Sequence, residues 1–347
     1  MHDAIALLSD LISIESFSRD EKNAADFLER YLEERGYKVS RSANNIWMMS
    51  PGFEPTKPTI LLNSHIDTVK PVSAWVRNPL VPTIENGKLY GLGSNDAGAS
   101  IVSLLYAFFY LSAQPQSYNL IFAATAEEEI SGKNGIESLL NELPKIDFAI
   151  VGEPTEMHVA VAEKGLMVLD CMAYGKAGHA ARNEGENAIY KALADVAWFQ
   201  NHQFEKVSDL LGPVKMTVTQ INAGTQHNVV PDKCSFVVDV RSNELYNNQD
   251  ILAEIQKNIS YEVTARSTRL SSSATPLSHA VVTSVLKLNR QLYGSPTLSD
   301  QALMPFASIK MGPGLSARSH TADEFIYLHE IEEAIELYIK LLDKLEI

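Results

Sequence analysis

The residues of this chain best suited to chemistry are scattered along it: His65-Ile66-Asp67, Asp96, Glu128-Glu129, Glu153 and, far downstream, His320. Imidazole nitrogen and carboxylate oxygen are donors that zinc accepts in four- or five-fold coordination. Paired catalytic metals sit about 3.5–4 Å apart and share a bridging carboxylate or water. Two His and several acids therefore suffice for two cations. Each lies beside small or turn-forming residues, in Asn63-Ser64-His65-Ile66-Asp67, Gly91-Leu92-Gly93-Ser94-Asn95-Asp96, Val151-Gly152-Glu153-Pro154 and Arg318-Ser319-His320-Thr321, as expected for ligands at strand ends and loops of a rigid scaffold. Taken singly, a His or Asp is far more often a surface or hydrogen-bonding group than a ligand. Glu127-Glu128-Glu129 alone would read as a solvated helix start. It directly follows the apolar run Leu120-Ile121-Phe122-Ala123-Ala124, however, and acids at the end of a buried strand read as a site.

Elements must position these groups. Helical spacing covers residues 3–14 and 20–35; the second helix opens on the capping-box pattern Ser18-Arg19-Asp20-Glu21 and stops at Gly36. Apolar or β-branched runs at 59–62, 120–124 and 148–151 alternate with helical stretches at 98–111 and 135–140. That alternation predicts an α/β layer with a central, mostly parallel sheet. After Lys164 the texture changes to shorter strands at 167–174, 214–221, 229 and 235–240, with helices at 188–199 and 250–257. This predicts a smaller α+β domain inserted into the first, with boundaries at 1–164, 165–272 and 273–347. An insertion accounts for the separation of His320 from its partners, whereas an independent C-terminal domain would strand it.

Composition bounds the function. The 347 residues exceed the usual size of one domain and predict two, with apolar content ample for a large core. Acidic residues outnumber basic ones 43 to 29, for a formal net charge of −14, and no long Lys/Arg run occurs. Nucleic acid is excluded as a partner, because phosphate binding needs a basic footprint. The N-terminus lacks a basic segment, and Asp3, Asp10 and Glu15 interrupt its apolar positions, so it does not read as a secretory signal. The longest apolar stretch, 97–111, falls short of the roughly 20 residues a bilayer crossing needs; no membrane association is expected. Cys171 and Cys234 are too few for a disulfide framework and read as reduced core residues of a cytoplasmic protein. Gly91 and Gly93 do not begin a dinucleotide loop, since the third glycine of the fingerprint falls at Asp96.

Taken in order, the motifs resemble the M20 metallopeptidase and deacylase family nearly end to end: HxD after a strand, GxGxxD, a Glu-Glu pair, GEP and a late His. The resemblance implies a zinc-peptidase-like catalytic domain interrupted by a ferredoxin-like lid that mediates homodimerisation. It implies that His65 and Glu153 bind one metal, Glu129 and His320 the other, and that Asp96 bridges them. The two divalent ions would be zinc, with cobalt or manganese as alternatives. Glu128 is then the general base, taking a proton from water acidified by the metals and returning it to the leaving amine. Asp67 would support His65 by accepting its ring N–H; residues two apart on a strand point the same way.

In the lid, Gly175-Lys176-Ala177-Gly178-His179-Ala180 resembles a family segment whose His reaches the neighbouring subunit's site, which makes His179 the candidate for oxyanion stabilisation. Asn228, within Gly224-Thr225-Gln226-His227-Asn228-Val229-Val230-Pro231, and Arg241 match family substrate contacts. An Arg fork suits a substrate carboxylate. Arg318 and Gly314, in the Gly312-Pro313-Gly314 region, are further candidates. Two departures stand out: Ala97-Gly98-Ala99 replaces a Met-Lys-Gly-like segment, and Glu127 stands where Asp is usual.

The forms Gly152-Glu153-Pro154-Thr155 and Ser319-His320-Thr321-Ala322-Asp323-Glu324 look most like the acetylornithine deacetylase and succinyl-diaminopimelate desuccinylase branch. They imply deacetylation of N-acetylornithine in arginine biosynthesis, the partner being a small N-acylated amino acid. Alternatives are deacylation of N-acetyl- or N-succinylcitrulline, desuccinylation of succinyl-diaminopimelate, a dipeptidase or aminoacylase, and a catalytically silent metal-binding homologue. The intact Glu128 disfavours the last.

Overall fold

Continuously apolar runs become the central strands of one unit of the chain. The computed structural model describes residues 2–347, and the chain divides into two units: Met1–Val161, Ala274–Tyr293 and Ser299–Ile347 form the first, Ala162–Ser273 and Gly294–Leu298 the second. In the first unit, Val39–Ser42, Asn45–Met49, Asn119–Thr125, Thr59–His65, Phe148–Val151 and Ala307–Lys310 lie side by side in that order. The last four are mutually parallel, and the first two form an antiparallel hairpin at one edge. Thr59–His65 and Asn119–Thr125 are buried at every position, which requires cover on both faces and explains why their sequences do not alternate.

Helix Ala99–Ser112 supplies part of that cover. It is apolar nearly all round, and it packs on the sheet, on His2–Ile12 and on Leu328–Leu342. Phe108 is fully buried, with its ring 5.9 Å from that of Tyr37 and 6.3 Å from that of Phe122.

Two features differ from expectation. The helix expected from residue 20 is Lys22–Glu33, and the Ser18 side chain does not cap it. Instead the Ser18 hydroxyl donates to Asp67 Oδ2 at 2.7 Å, because the turn at Arg19 (φ 79°) carries Ser18 away from the helix axis. The second is a small antiparallel sheet of Thr83–Glu85, Lys88–Tyr90 and Phe325–Tyr327. It joins segments far apart in sequence, too short for periodicity to reveal.

The second unit is antiparallel throughout. Along the chain it runs strand Met167–Tyr174, helix Ala188–Asn201, strands Lys215–Ala223 and Lys233–Arg241, helix Asn248–Asn258 and strand Glu262–Ala265. In space the strands lie fourth, first, third, second, the ferredoxin-like arrangement. Burial alternates along Met167–Tyr174 and Lys233–Arg241, as expected when one sheet face packs on helices around Phe199, Phe236 and Ile251 and the other does not. Cys171 and Cys234 are free and buried.

Truncating Phe108 tests the helix–sheet layer. Phe108→Ala should destabilise the first unit by about 3–5 kcal/mol, read from the urea midpoint, while Tyr110→Ala, at a side chain 47% exposed, should change it by less than about 0.5 kcal/mol.

Candidate metal centre

Three adjacent parallel strands end at one edge of the sheet, and their C-terminal ends carry the chemistry, the usual place for a site in a parallel sheet. Thr59–His65 ends in His65, with Asp67 two residues on. Asn119–Thr125 leads into Glu128 and Glu129, and Phe148–Val151 into Glu153. Gly152 allows this close approach: a Cβ there would press on the side chains of Leu104, Ser100 and Ser64. Asp96 comes from the turn Ser94–Gly98, where its own backbone is extended (φ −125°, ψ 96°). His320 follows the short turn Ser316–Arg318 with a left-handed backbone, φ 59°. All seven residues lie in the first unit.

The structure brings these side chains together. His65 Nε2 is 3.3 Å from Asp96 Oδ1 and 3.8 Å from Glu153 Oε1. His320 Nε2 is 3.0 Å from Glu129 Oε2 and 3.7 Å from Asp96 Oδ2. Asp96 thus turns one oxygen to each imidazole. Donor atoms of His65, Asp96 and Glu129, and likewise of His65, Glu128 and Glu153, fall within 4.8 Å of one another. The His65 side chain is 1% exposed and that of His320 54%, so one end of the cluster is sealed and the other faces solvent.

Asp67 organises the sealed end. His65 Nδ1 lies 2.9 Å from the Asp67 backbone carbonyl and 3.5 Å from its carboxylate Oδ1; a proton on Nδ1 leaves Nε2 free to face the acids. The Asp67 carboxylate accepts the Ser18 hydroxyl and the backbone N–H groups of Glu128 and Glu129, at 2.7, 3.0 and 3.2 Å. It therefore fixes the strand end carrying the acids as well as the imidazole.

Glu127 has a different duty from its neighbours. Its backbone is left-handed, φ 56°. Its carboxylate accepts Asn134 Nδ2 at 2.8 Å, and its N–H donates to buried Glu21 at 3.3 Å. This closes the loop over which Glu128 and Glu129 project inward.

So many acids in a low-dielectric site perturb one another. Burial, then the Glu153 charge, raises the Glu128 carboxyl well above its usual range. Burial and Asp96 push Glu153 up to about 8. Burial works against a charged His65, but its bonds to Asp67 and Asp96 outweigh that and hold its pKa well above the ordinary value. The bond to Glu129 lifts His320 to about 9. Protons are thus retained where positive charge is wanted. Glu153 Oε1 is buried with no hydrogen-bond partner. An orphaned carboxylate oxygen amid imidazole and carboxylate donors is what divalent cations fit, and they would displace those protons.

Two further buried acids adjoin the cluster, Asp300 with no motif around it in the sequence and Glu324 only as the last residue of the Ser319–Glu324 segment. Asp300 is buried, accepting Asn63 Nδ2 at 2.8 Å and the Thr125 hydroxyl at 2.9 Å. Glu324 accepts the backbone N–H groups of Gly93, Asn95 and Asp96 at 3.1, 2.8 and 2.9 Å, and burial beside Asp96 raises it to about 8.

The expected substrate contacts are placed less uniformly. Gly314 has φ 87°, and a Cβ on it would collide with Asn95 Oδ1, so its role is to let two loops touch. Arg318 forks onto Glu330 at 2.7 and 3.1 Å and lies over the Phe325 and Tyr327 rings. Arg241 forks onto Asp239, two residues back on its strand, at 2.8 and 3.1 Å. In the second unit His179 pairs with Val229, and the Asn228 carbonyl accepts the Ala180 N–H, so His179 and Asn228 share one small feature. His179 Nδ1 accepts the Ala181 N–H at 3.1 Å, which leaves the ring proton on an exposed Nε2.

Comparison with known proteins identifies the family of the chain. Residues 61–344 match Peptidase family M20/M25/M40. Succinyl-diaminopimelate desuccinylase of Wolbachia pipientis wMel is 25% identical over 264 residues, 71% of this chain and 65% of that protein, so the chain spans just under two thirds of that relative. The LysW-lysine/LysW-ornithine hydrolase of Sulfurisphaera tokodaii is 27% identical over 357 residues, 98% of this chain and 94% of that one. Aminopeptidase PepT from Bacillus cereus superposes with a TM-score of 0.80 at 19% identity, over 98% of this chain and 97% of that one. No helix among the described residues is long and apolar enough to cross a membrane.

The pH response of the cation-free protein follows from the raised groups. Glu153 and Glu324 at about 8 and His320 at about 9 all stand above their unfolded values of 4.5 and 6.5. The stability their protons confer is complete below the unfolded values and is lost as pH rises through 8 and 9. Chelator-treated protein should therefore melt at progressively lower temperature from about pH 6 to about pH 9, and excess divalent metal should restore the loss. A Tm that rises over that interval without metal contradicts the assignment.

Proposed function

The chain belongs to Peptidase family M20/M25/M40 and is an amidohydrolase; we propose that it uses two divalent cations to remove the N-acyl group of an amino acid, N-acetylornithine being the first candidate substrate. The observation that carries this reading is Asp96, whose two oxygens face His65 and His320 separately, at 3.3 and 3.7 Å. His65 and Glu153 would hold one ion, Glu129 and His320 the other, with Asp96 between. The cations supply Lewis acidity, polarising the amide carbonyl and acidifying water; zinc, cobalt and manganese all accept this donor set.

Glu128 is the residue that moves the proton. It takes no part in the short His contacts, and its raised carboxyl favours holding a proton between its abstraction from water and its delivery to the leaving amine. Asp67 keeps the Glu128 backbone in place while it does so. His179, with its proton on Nε2, is a suitable donor to a developing oxyanion.

The second unit supports assembly as a homodimer. Lys215–Ala223 is an edge strand of its sheet, with Ile221 50% exposed, and the adjoining helix presents Tyr190, 73% exposed, and Leu193, 49% exposed. An unpaired edge with apolar neighbours is a template for strand pairing between copies. The free, buried thiols suit a reducing, cytoplasmic setting.

The Wolbachia relative's name favours a second reading, removal of a succinyl group from diaminopimelate. Amine release from N-acetylornithine, N-acetylcitrulline, N-succinylcitrulline, N-succinyl-diaminopimelate and dipeptides separates these. Preference for N-acetylornithine supports the first reading and arginine biosynthesis, a succinylated substrate the second, and cleavage of dipeptides alone overturns both. Glu128→Gln should keep its metals yet lose about a thousandfold in kcat; near-normal turnover would remove the base from the mechanism.

A further inference from the structure

The two loops that carry Asp96 and His320 lie far apart in sequence, and neither is part of the central sheet. Loop 91–96 is laced to segment 314–324 on two sides. On one side, Asn95 Nδ2 donates to the Leu315 carbonyl and to Ser319 Oγ, both at 3.2 Å, and Asn95 Oδ1 accepts the Leu315 N–H at 3.1 Å. On the other, Glu324 takes the N–H groups of Gly93, Asn95 and Asp96 on its carboxylate and the N–H of Gly91 on its backbone carbonyl. His320 sits between these attachments.

We propose that Glu324 is a positioning residue for the metal centre, holding the Asp96 loop in register with His320 by gathering three backbone N–H groups onto one buried carboxylate. This rests on the two-cation reading. A carboxylate suits the position because three converging N–H donors need a group that only accepts; an amide would turn an NH₂ toward one of them. Bonds to a charged acceptor are also roughly twice as strong as neutral ones. Placing one more buried acid beside Asp96 is electrostatically costly. Ordinary loop closure does not require that cost, since neighbouring Asp323 closes loop 76–77 with a carboxylate near the surface, accepting Val76 and Arg77 N–H at 3.2 and 2.9 Å. Cations held by Asp96 would offset it. Glu324 belongs to neither converging donor group and acts through the Asp96 loop it holds.

Cobalt titration of the full chain, followed by visible absorption, tests this. Wild type should take two equivalents. In Glu324→Gln the affinity for cobalt, the second equivalent above all, should fall about tenfold or more, as for other groups that orient metal ligands. KM should change less than kcat. Asp323→Asn should bind cobalt as wild type does. Glu324→Asp, charged but short, should weaken binding at least threefold, and it decides the matter if the Gln variant does not fold. Wild-type cobalt affinity in the Gln variant, or in the Asp variant when only that one folds, overturns the proposal, as does equal loss in Asp323→Asn. Wild type that fails to take two equivalents overturns the two-cation reading itself, and this inference with it.

Discussion

Mutual repulsion among acids is the constraint on which the rest of this structure depends. Asp67, Asp96, Glu128, Glu129, Glu153, Asp300 and Glu324 are gathered at one end of a parallel sheet, in surroundings where like charges interact several times more strongly than in water. Protons retained on His65, His320, Glu128 and Glu153 relieve part of that repulsion. Divalent cations relieve it more completely, because each carries two charges and accepts several donors at once. The buried Glu153 oxygen without a hydrogen-bond partner is the local sign of that demand.

Holding such a cluster together before any cation arrives requires rigid support, and the fold supplies it in two ways. Strand ends fix His65, Glu128, Glu129 and Glu153, because Thr59–His65, Asn119–Thr125 and Phe148–Val151 are neighbours in register and buried at every position. Backbone N–H groups aimed at carboxylates fix the rest: Asp67 gathers those of Glu128 and Glu129, and Glu324 those of Gly93, Asn95 and Asp96. Each of these carboxyl groups orders a backbone loop by accepting its N–H groups. Such ordering is what lets a site be preorganised for developing charge in a reaction.

The second unit solves a different problem with a different texture. Its sheet is covered on one face, so its strands alternate and its core rests on Phe199, Phe236 and Ile251. It carries the exposed His179 and the edge strand Lys215–Ala223.

Much of this was legible from the chain alone. Periodicity separated the fully buried strands from the alternating ones, because burial on one face or two leaves its mark on every residue of a strand. The small residues around His65, Asp96, Glu153 and His320 marked loops whose side chains the fold brings together, and the acids after an apolar strand marked Glu128 and Glu129 beside them. The tertiary structure decided what depends on contact between distant segments. Ser18 looked like a helix cap and instead bonds Asp67, 49 positions away; Asp300 lies under Asn63 across 237 positions; Glu324 reaches back 228 positions to Asp96. Local sequence encodes which residues can bind a cation and which segments can form strands. Which backbone N–H a carboxylate meets is set by packing, and no spacing along the chain records it.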